Sequence, residues 1–152
     1  MLCLSSEVAG AIASHAEADY PEECVGLLLG CLDGTVRTAL RALALENRAG
    51  SPRDRFYLDP HDYLAADSVA RAAGLEIVGC YHSHPDAPAA PSVRDRLGAP
   101  GGGQSFAFVI QSVRRGRAAE LASWLLLDPD VGFVAENVCE IPIPEGDTAL
   151  SR

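Results

Sequence analysis

The chain has 152 residues, of which 48% are hydrophobic and 22% charged, and its formal net charge is −9. That composition fits one globular domain with a real core and excludes a disordered chain. The negative charge disfavours nucleic acid and anionic membrane surfaces as partners, because both would repel it.

The first ten residues, MLCLSSEVAG, lack the basic region, apolar core and cleavage site of a secretory signal. No apolar run has the length of a membrane-spanning helix either, so a cytoplasmic protein is expected. Ser5 or Ser6 can cap a first helix running to about Tyr20, with Val8, Ile12, Ala16 and Tyr20 along one stripe. His15 lies off this stripe and reads as a surface or helix-end residue. Pro21 ends the helix. From Cys24 to Leu32 the chain is apolar enough for a strand buried on both faces, and Asp33-Gly34 signals a hairpin into a return strand from Thr35 to Glu46. Asn47 to Arg55 (NRAGSPRDR) is a loop by composition. Its arginines, Arg48, Arg53 and Arg55, either meet a carboxylate or are solvated, and solvation is the simpler reading.

Asp59 and Pro60 are the N-cap and first residue of a second helix reaching about Ala73. Tyr63, Leu64, Ala66, Val69 and Ala70 are its candidate packing positions, and His61 in its first turn reads as solvated. Gly74 ends it. Leu75 to Tyr81 (LEIVGCY) then has the apolar and β-branched content of a buried strand, closed by His82 and His84 before Pro85. Gly98 to Gly103 reads as a flexible rim of the active site, since no GK[ST] follows to make it a phosphate loop. Strands are expected over Ser105 to Val113 and Ala119 to Leu127, joined by a turn at Arg114 to Arg117, and over Phe133 to Ile141 after a turn around Asp128 to Gly132. One domain over residues 1–141 is predicted, with 142–152 a poorly ordered tail. The five cysteines, Cys3, Cys24, Cys31, Cys80 and Cys139, are odd in number and form no CxxC pair, so they read as reduced, mostly buried thiols. Cys24 and Cys31 are assigned to the core strand.

The chemistry concentrates in Tyr81 to Asp95, YHSHPDAPAAPSVRD. Residues two apart on a strand share a face, so the His82 and His84 imidazoles can converge on one ion. Asp95, eleven residues past His84 across a proline-rich loop, is the candidate third ligand. Ser92 and Asp95 also fit a capping box for a short helix, VRDRLGA, and that role is compatible with a metal site. A general base is still needed, and Glu22 and Glu23 precede the first apolar strand.

Pro21, Glu23 and Gly26, followed by His82, Ser83, His84 and Pro85 and then Ser92 and Asp95, resemble the signature of the JAMM (MPN-plus) metallopeptidases. Spacing from Pro21 and Gly26 selects Glu23 over Glu22, although Cys24 stands one place earlier than in many bacterial relatives. The resemblance runs from the helix before Pro21, through Phe56 to Pro60 (FYLDP), to the strands after Ser105. It implies an α/β fold of the cytidine-deaminase-like kind, a central mixed sheet flanked by helices. It further implies one zinc ion on His82, His84 and Asp95, with Glu23 as general base and Ser92 as oxyanion donor. The implied reaction is hydrolysis of a peptide or isopeptide bond. Short bacterial members resemble peptidases that trim ubiquitin-like (β-grasp) sulfur-carrier proteins after their Gly-Gly end, which makes such a carrier the expected partner. A ligand-free scaffold module and a small-amide hydrolase are the alternatives. Two other zinc classes fit poorly: no HExxH helix is present, and HxHxDH fails because Ala87 stands where its last histidine belongs.

Overall fold

The structure is a computed structural model and describes residues 1–128 and 130–142. Its elements are β1 (Leu2–Ser5), α1 (Ser6–Asp19), β2 (Val25–Asp33), β3 (Val36–Leu45), α2 (Pro60–Ala72), β4 (Glu76–Pro85), α3 (Val93–Leu97), β5 (Ala107–Arg114), β6 (Arg117–Asp128), β7 (Gly132–Glu136) and β8 (Val138–Ile141). All eight strands join one sheet in the order β7-β6-β5-β4-β2-β3-β1-β8. The sheet is mixed, as expected: β4 runs parallel to β5, whereas β2 is antiparallel to both β3 and β4.

Each face of this sheet carries one long helix, because its central strands are apolar on both sides. Cys24 and Leu28 pack with Val8, Ile12 and Ala16 of α1, while Leu27 and Leu29 pack with Ala66 and Ala70 of α2. Fully burying each of the valine, leucine and isoleucine side chains among these stabilises the fold by roughly 1.5–3 kcal/mol. Both helices start where the sequence signals a cap. The Ser5 side chain accepts from Val8 N, and the Asp59 side chain accepts from His61 N ahead of Pro60.

Several expectations are corrected. Leu64 and Val69 are 65% and 41% exposed, so α2 docks through Ala66 and Ala70 with Tyr63 packed alongside, and not through those two residues. The hairpin loop is Gly34-Thr35, since Asp33 still pairs with Val36. Cys31 is exposed, at the point where β2 runs out of the core, whereas Cys3, Cys24 and Cys80 are buried. The single strand expected over Phe133 to Ile141 is two strands broken at Asn137: β7 pairs with β6 at one sheet edge and β8 with β1 at the other. The short N-terminal strand β1 was unforeseen and lies between β3 and β8, parallel to both. The glycine segment does not line the cleft that holds Glu23, His84 and Ser92, and its Gly103 N donates to the Leu126 carbonyl of β6. Beyond Pro142, the expected poorly ordered tail lies outside the described residues. Among the described residues no helix is long and apolar enough to cross a membrane.

Candidate functional site

Strand β4 continues through the histidines to Pro85, held on one side by β2 (Val25 opposite His82) and on the other by β5 (His82 opposite Ile110). Alternation sends Cys80, His82 and His84 to the α2 face and Tyr81 and Ser83 to the α1 face. Cys80 duly packs with the α2 cluster and Tyr81 with the α1 cluster. His82 and His84 are 1% and 7% exposed. Their Nε2 atoms stand 3.1 Å apart.

Asp95 completes the group from α3. Ser92 and Asp95 form the reciprocal capping box: Ser92 Oγ accepts from Asp95 N at 3.2 Å, and Asp95 Oδ2 accepts from Ser92 N at 2.6 Å. That lock points the Asp95 carboxylate at the imidazoles, with Oδ1 3.1 Å from His82 Nε2 and Oδ2 3.2 Å from His84 Nε2. Capping and convergence on the histidines are therefore served by the same two side chains.

One ligand atom from each of His82, His84 and Asp95 lies within 4.8 Å of the other two, with each imidazole 3.1–3.2 Å from its own carboxylate oxygen, and that clustering fits a metal ion. Zinc bonds of about 2.0–2.1 Å at tetrahedral angles place neighbouring ligands about 3.3 Å apart. The second shell also fits, since His84 Nδ1 lies 2.8 Å from the Pro88 carbonyl. Donation there puts the proton on Nδ1 and leaves the Nε2 lone pair free for a metal. His82 lacks an equivalent: its Nδ1 is buried with no partner among the described residues, and its ring is held by stacking on Phe56 at 4.3 Å. Burial pushes the His82 pKa down, against the pull of Asp95. For His84 burial works in the same direction, but Asp95 and the Pro88 carbonyl outweigh it and the pKa rises. Burial likewise opposes charge on Asp95, yet the two histidines and Ser92 N hold its carboxyl far below the usual range.

Glu23 reaches the site by another route. Ser83, the residue between the histidines, ties β4 to the start of β2: its Oγ accepts from Cys24 N at 2.8 Å and its N donates to the Cys24 carbonyl at 3.2 Å. Gly26 follows because a Cβ there would lie 2.3 Å from the Tyr81 ring. Glu23 is 6% exposed, and its Oε2 has no hydrogen-bond partner among the described residues. Desolvation raises its pKa from 4.5 to about 7. A cleft of about 490 Å³ is lined by Glu23, His84 and Ser92, with Arg53, Asp54, Arg94 and the Pro85 to Ala90 loop around them. Glu22 does not line it. Ser92 spends only its oxygen on the cap, so its hydroxyl proton remains available to the cleft.

Three contributors escaped the sequence reading. Asn47 clamps the loop before α2, its amide donating to the Glu23 and Arg55 carbonyls and its oxygen accepting from Ala49 N and Tyr57 N. An Asn opening a turn-rich segment was the available signal. Phe56 supports His82. His15, read as a surface or helix-end residue, is partly exposed near the end of α1 beside Asp19, but its Nδ1 also lies 2.8 Å from the Tyr81 hydroxyl beneath the histidine strand. His61, by contrast, is solvated as expected, with its side chain 95% exposed. Of the loop arginines, Arg48 pairs with Asp62 and Glu46 and Arg55 with Asp54, while Arg53 faces the cleft.

Known proteins resemble this chain in sequence and in fold. The chain is 36% identical over 99 residues to a desampylase of Haloferax volcanii, covering 62% of this chain and 70% of that protein. It is 37% identical over 82 residues to a probable TtuB-protein conjugate cleaving protease of Thermus thermophilus, covering 54% of this chain and 52% of that one. A Desulfitobacterium hafniense protein superimposes with a TM-score of 0.83 at 29% identity over 95% of this chain and 96% of its own. A JAB1/MPN domain protein from Archaeoglobus fulgidus shares the fold, with a TM-score of 0.55 at 19% identity over 90% and 98%. The model of the prokaryotic homologs of the JAB domain matches residues 5–127, and the chain belongs to that family.

Proposed function

We propose that this chain is a zinc-dependent peptidase that hydrolyses the peptide or isopeptide bond after the C-terminal Gly-Gly of a ubiquitin-like sulfur-carrier protein. The observation that carries this reading is the convergence of His82, His84 and Asp95, whose ligand atoms lie within 4.8 Å of one another, beside a cleft shared by Glu23 and Ser92. Relatives named as a desampylase and a TtuB-protein conjugate cleaving protease support hydrolysis of ubiquitin-like conjugates. The pairing of β1 with β8 supports one domain over residues 1–141.

His82, His84 and Asp95 would hold one zinc ion, which when bound supplies Lewis acidity and lowers the pKa of a water to about 7. Glu23 takes the nucleophile's proton and returns it to the leaving nitrogen. A carboxyl with a pKa of about 7 exchanges protons readily at neutral pH. A neighbouring dication would draw that value down, toward the base form. Ser92, fixed as N-cap, donates its hydroxyl to the developing oxyanion. His84 keeps its orientation through the Pro88 carbonyl and His82 through Phe56.

The test is direct. The zinc-loaded chain is incubated with a β-grasp carrier extended by one residue past Gly-Gly, and products are weighed by mass spectrometry. Loss of that residue supports the reading, and an intact carrier under all metal conditions contradicts it.

A further inference from the structure

The cleft contains a cation that the site chemistry does not use. Arg53 is exposed and lines the same cleft as Glu23, His84 and Ser92. Asp54, the nearest carboxylate in sequence, is taken: it pairs with Arg94 across the cleft and with Arg55 at 3.7 Å. Arg53 itself makes no ion pair among the described residues. Its backbone is nonetheless held in place. The preceding residue, Pro52, accepts a hydrogen bond from Glu23 N at 2.6 Å, and Asn47 ties the Glu23 carbonyl to that of Arg55. Arg53 sits between these two ties, one residue from the backbone of the candidate proton carrier.

This placement bears on the leaving group. Glu23 returns a proton to the nitrogen of the broken amide, so the atoms attached to that nitrogen lie next to Glu23 and within the territory of Arg53. When a single residue or short peptide leaves from a linear C-terminal extension, that territory receives an α-carboxylate. A guanidinium fork matches a carboxylate in two parallel hydrogen bonds. When the leaving group is a lysine of a folded protein, the nitrogen carries a four-carbon apolar stem and no carboxylate.

We infer that Arg53 is a specificity-determining residue that binds the free carboxylate of the leaving residue, so that linear one-residue extensions after Gly-Gly are favoured over lysine-linked conjugates. The inference rests on the peptidase reading above and narrows it to a substrate class. Hydrolysis itself is unchanged: water adds across the amide, giving the carrier's carboxylate and the free amino acid.

The test compares three carriers: Gly-Gly followed by one residue with a free carboxylate, the same residue as its C-terminal amide, and Gly-Gly joined to a lysine side chain. The zinc-loaded wild type should cleave the free carboxylate with a kcat/KM about ten-fold above the amide. The difference should lie mainly in KM and shrink as salt is raised. In Arg53→Gln the ratio of carboxylate to amide should fall to about one, and Arg53→Lys should restore part of it, since charge remains without the fork. A merely structural role would lower all three substrates together and leave the ratio intact. Equal cleavage of acid and amide by the wild type, or an undiminished preference in Arg53→Gln, would overturn this inference alone. Cleavage of no carrier would overturn the peptidase reading, and this inference with it.

Discussion

Glu23→Gln is expected to stabilise the metal-free chain progressively as pH rises. The carboxyl is 6% exposed and its pKa stands at about 7 against an ordinary 4.5, first through desolvation, with Asp95 and Asp54 adding to it and His84 and Arg94 opposing. An acid whose folded pKa exceeds its unfolded value favours the fold while protonated. That contribution is complete below about 4.5 and is lost as pH climbs through about 7. Between about pH 5 and pH 8.5 the loss integrates to about 2.5 kcal/mol. Glutamine does not titrate, so the variant should gain on wild type by about that amount over this interval. Any fixed cost of exchanging an oxygen for an amide group is the same at each pH and drops out. Urea unfolding of chelator-treated protein at four pH values measures it, and added zinc should flatten the slope by lowering the Glu23 pKa. A difference between variant and wild type that is flat with pH without metal would refute the desolvation of Glu23.

Two further substitutions separate structure from chemistry. Ser92→Ala removes the cap of α3, costing about 1 kcal/mol of stability by denaturant unfolding. It should also slow kcat by about 100-fold or more through the lost oxyanion donor, and Ser92→Thr should recover much of both. Gly26→Ala places a methyl 2.3 Å from the Tyr81 ring, which is 1% exposed and anchored to His15, so the ring has little room to retreat. Overpacking of this kind costs about 1–3 kcal/mol, read as a lower Tm, and Gly26→Ala combined with Tyr81→Leu should regain part of it.

What the sequence made legible follows from the range of each interaction. His82 and His84 were readable because strand alternation is local, and Ser92 with Asp95 because a capping box spans one helical turn. Glu23 was readable only through its motif: nothing near it announces the histidines 59 and 61 residues on, and the link through Ser83 and Cys24 is a tertiary contact. The break at Asn137 was hidden for the same reason, since β7 and β8 both look like strand and only their partners differ. Arg37 shows the limit most plainly. It is fully buried in a pattern that reads as ordinary strand, and its partner Glu136 stands 99 residues away. Removing Glu136 would strand the buried Arg37 charge, at a cost of about 3–5 kcal/mol, whereas Glu136 also meets the Met1 ammonium at 3.1 Å. Composition carries no trace of that pairing.

The most direct measurement of the central claim is zinc per chain, with carrier cleavage measured on the same samples, for wild type, His84→Ala and Glu23→Gln. Wild type should hold about one zinc and cleave, His84→Ala should do neither, and Glu23→Gln should hold zinc without cleaving. Wild type that takes up no zinc, or Glu23→Gln that cleaves at the wild-type rate, would contradict that claim.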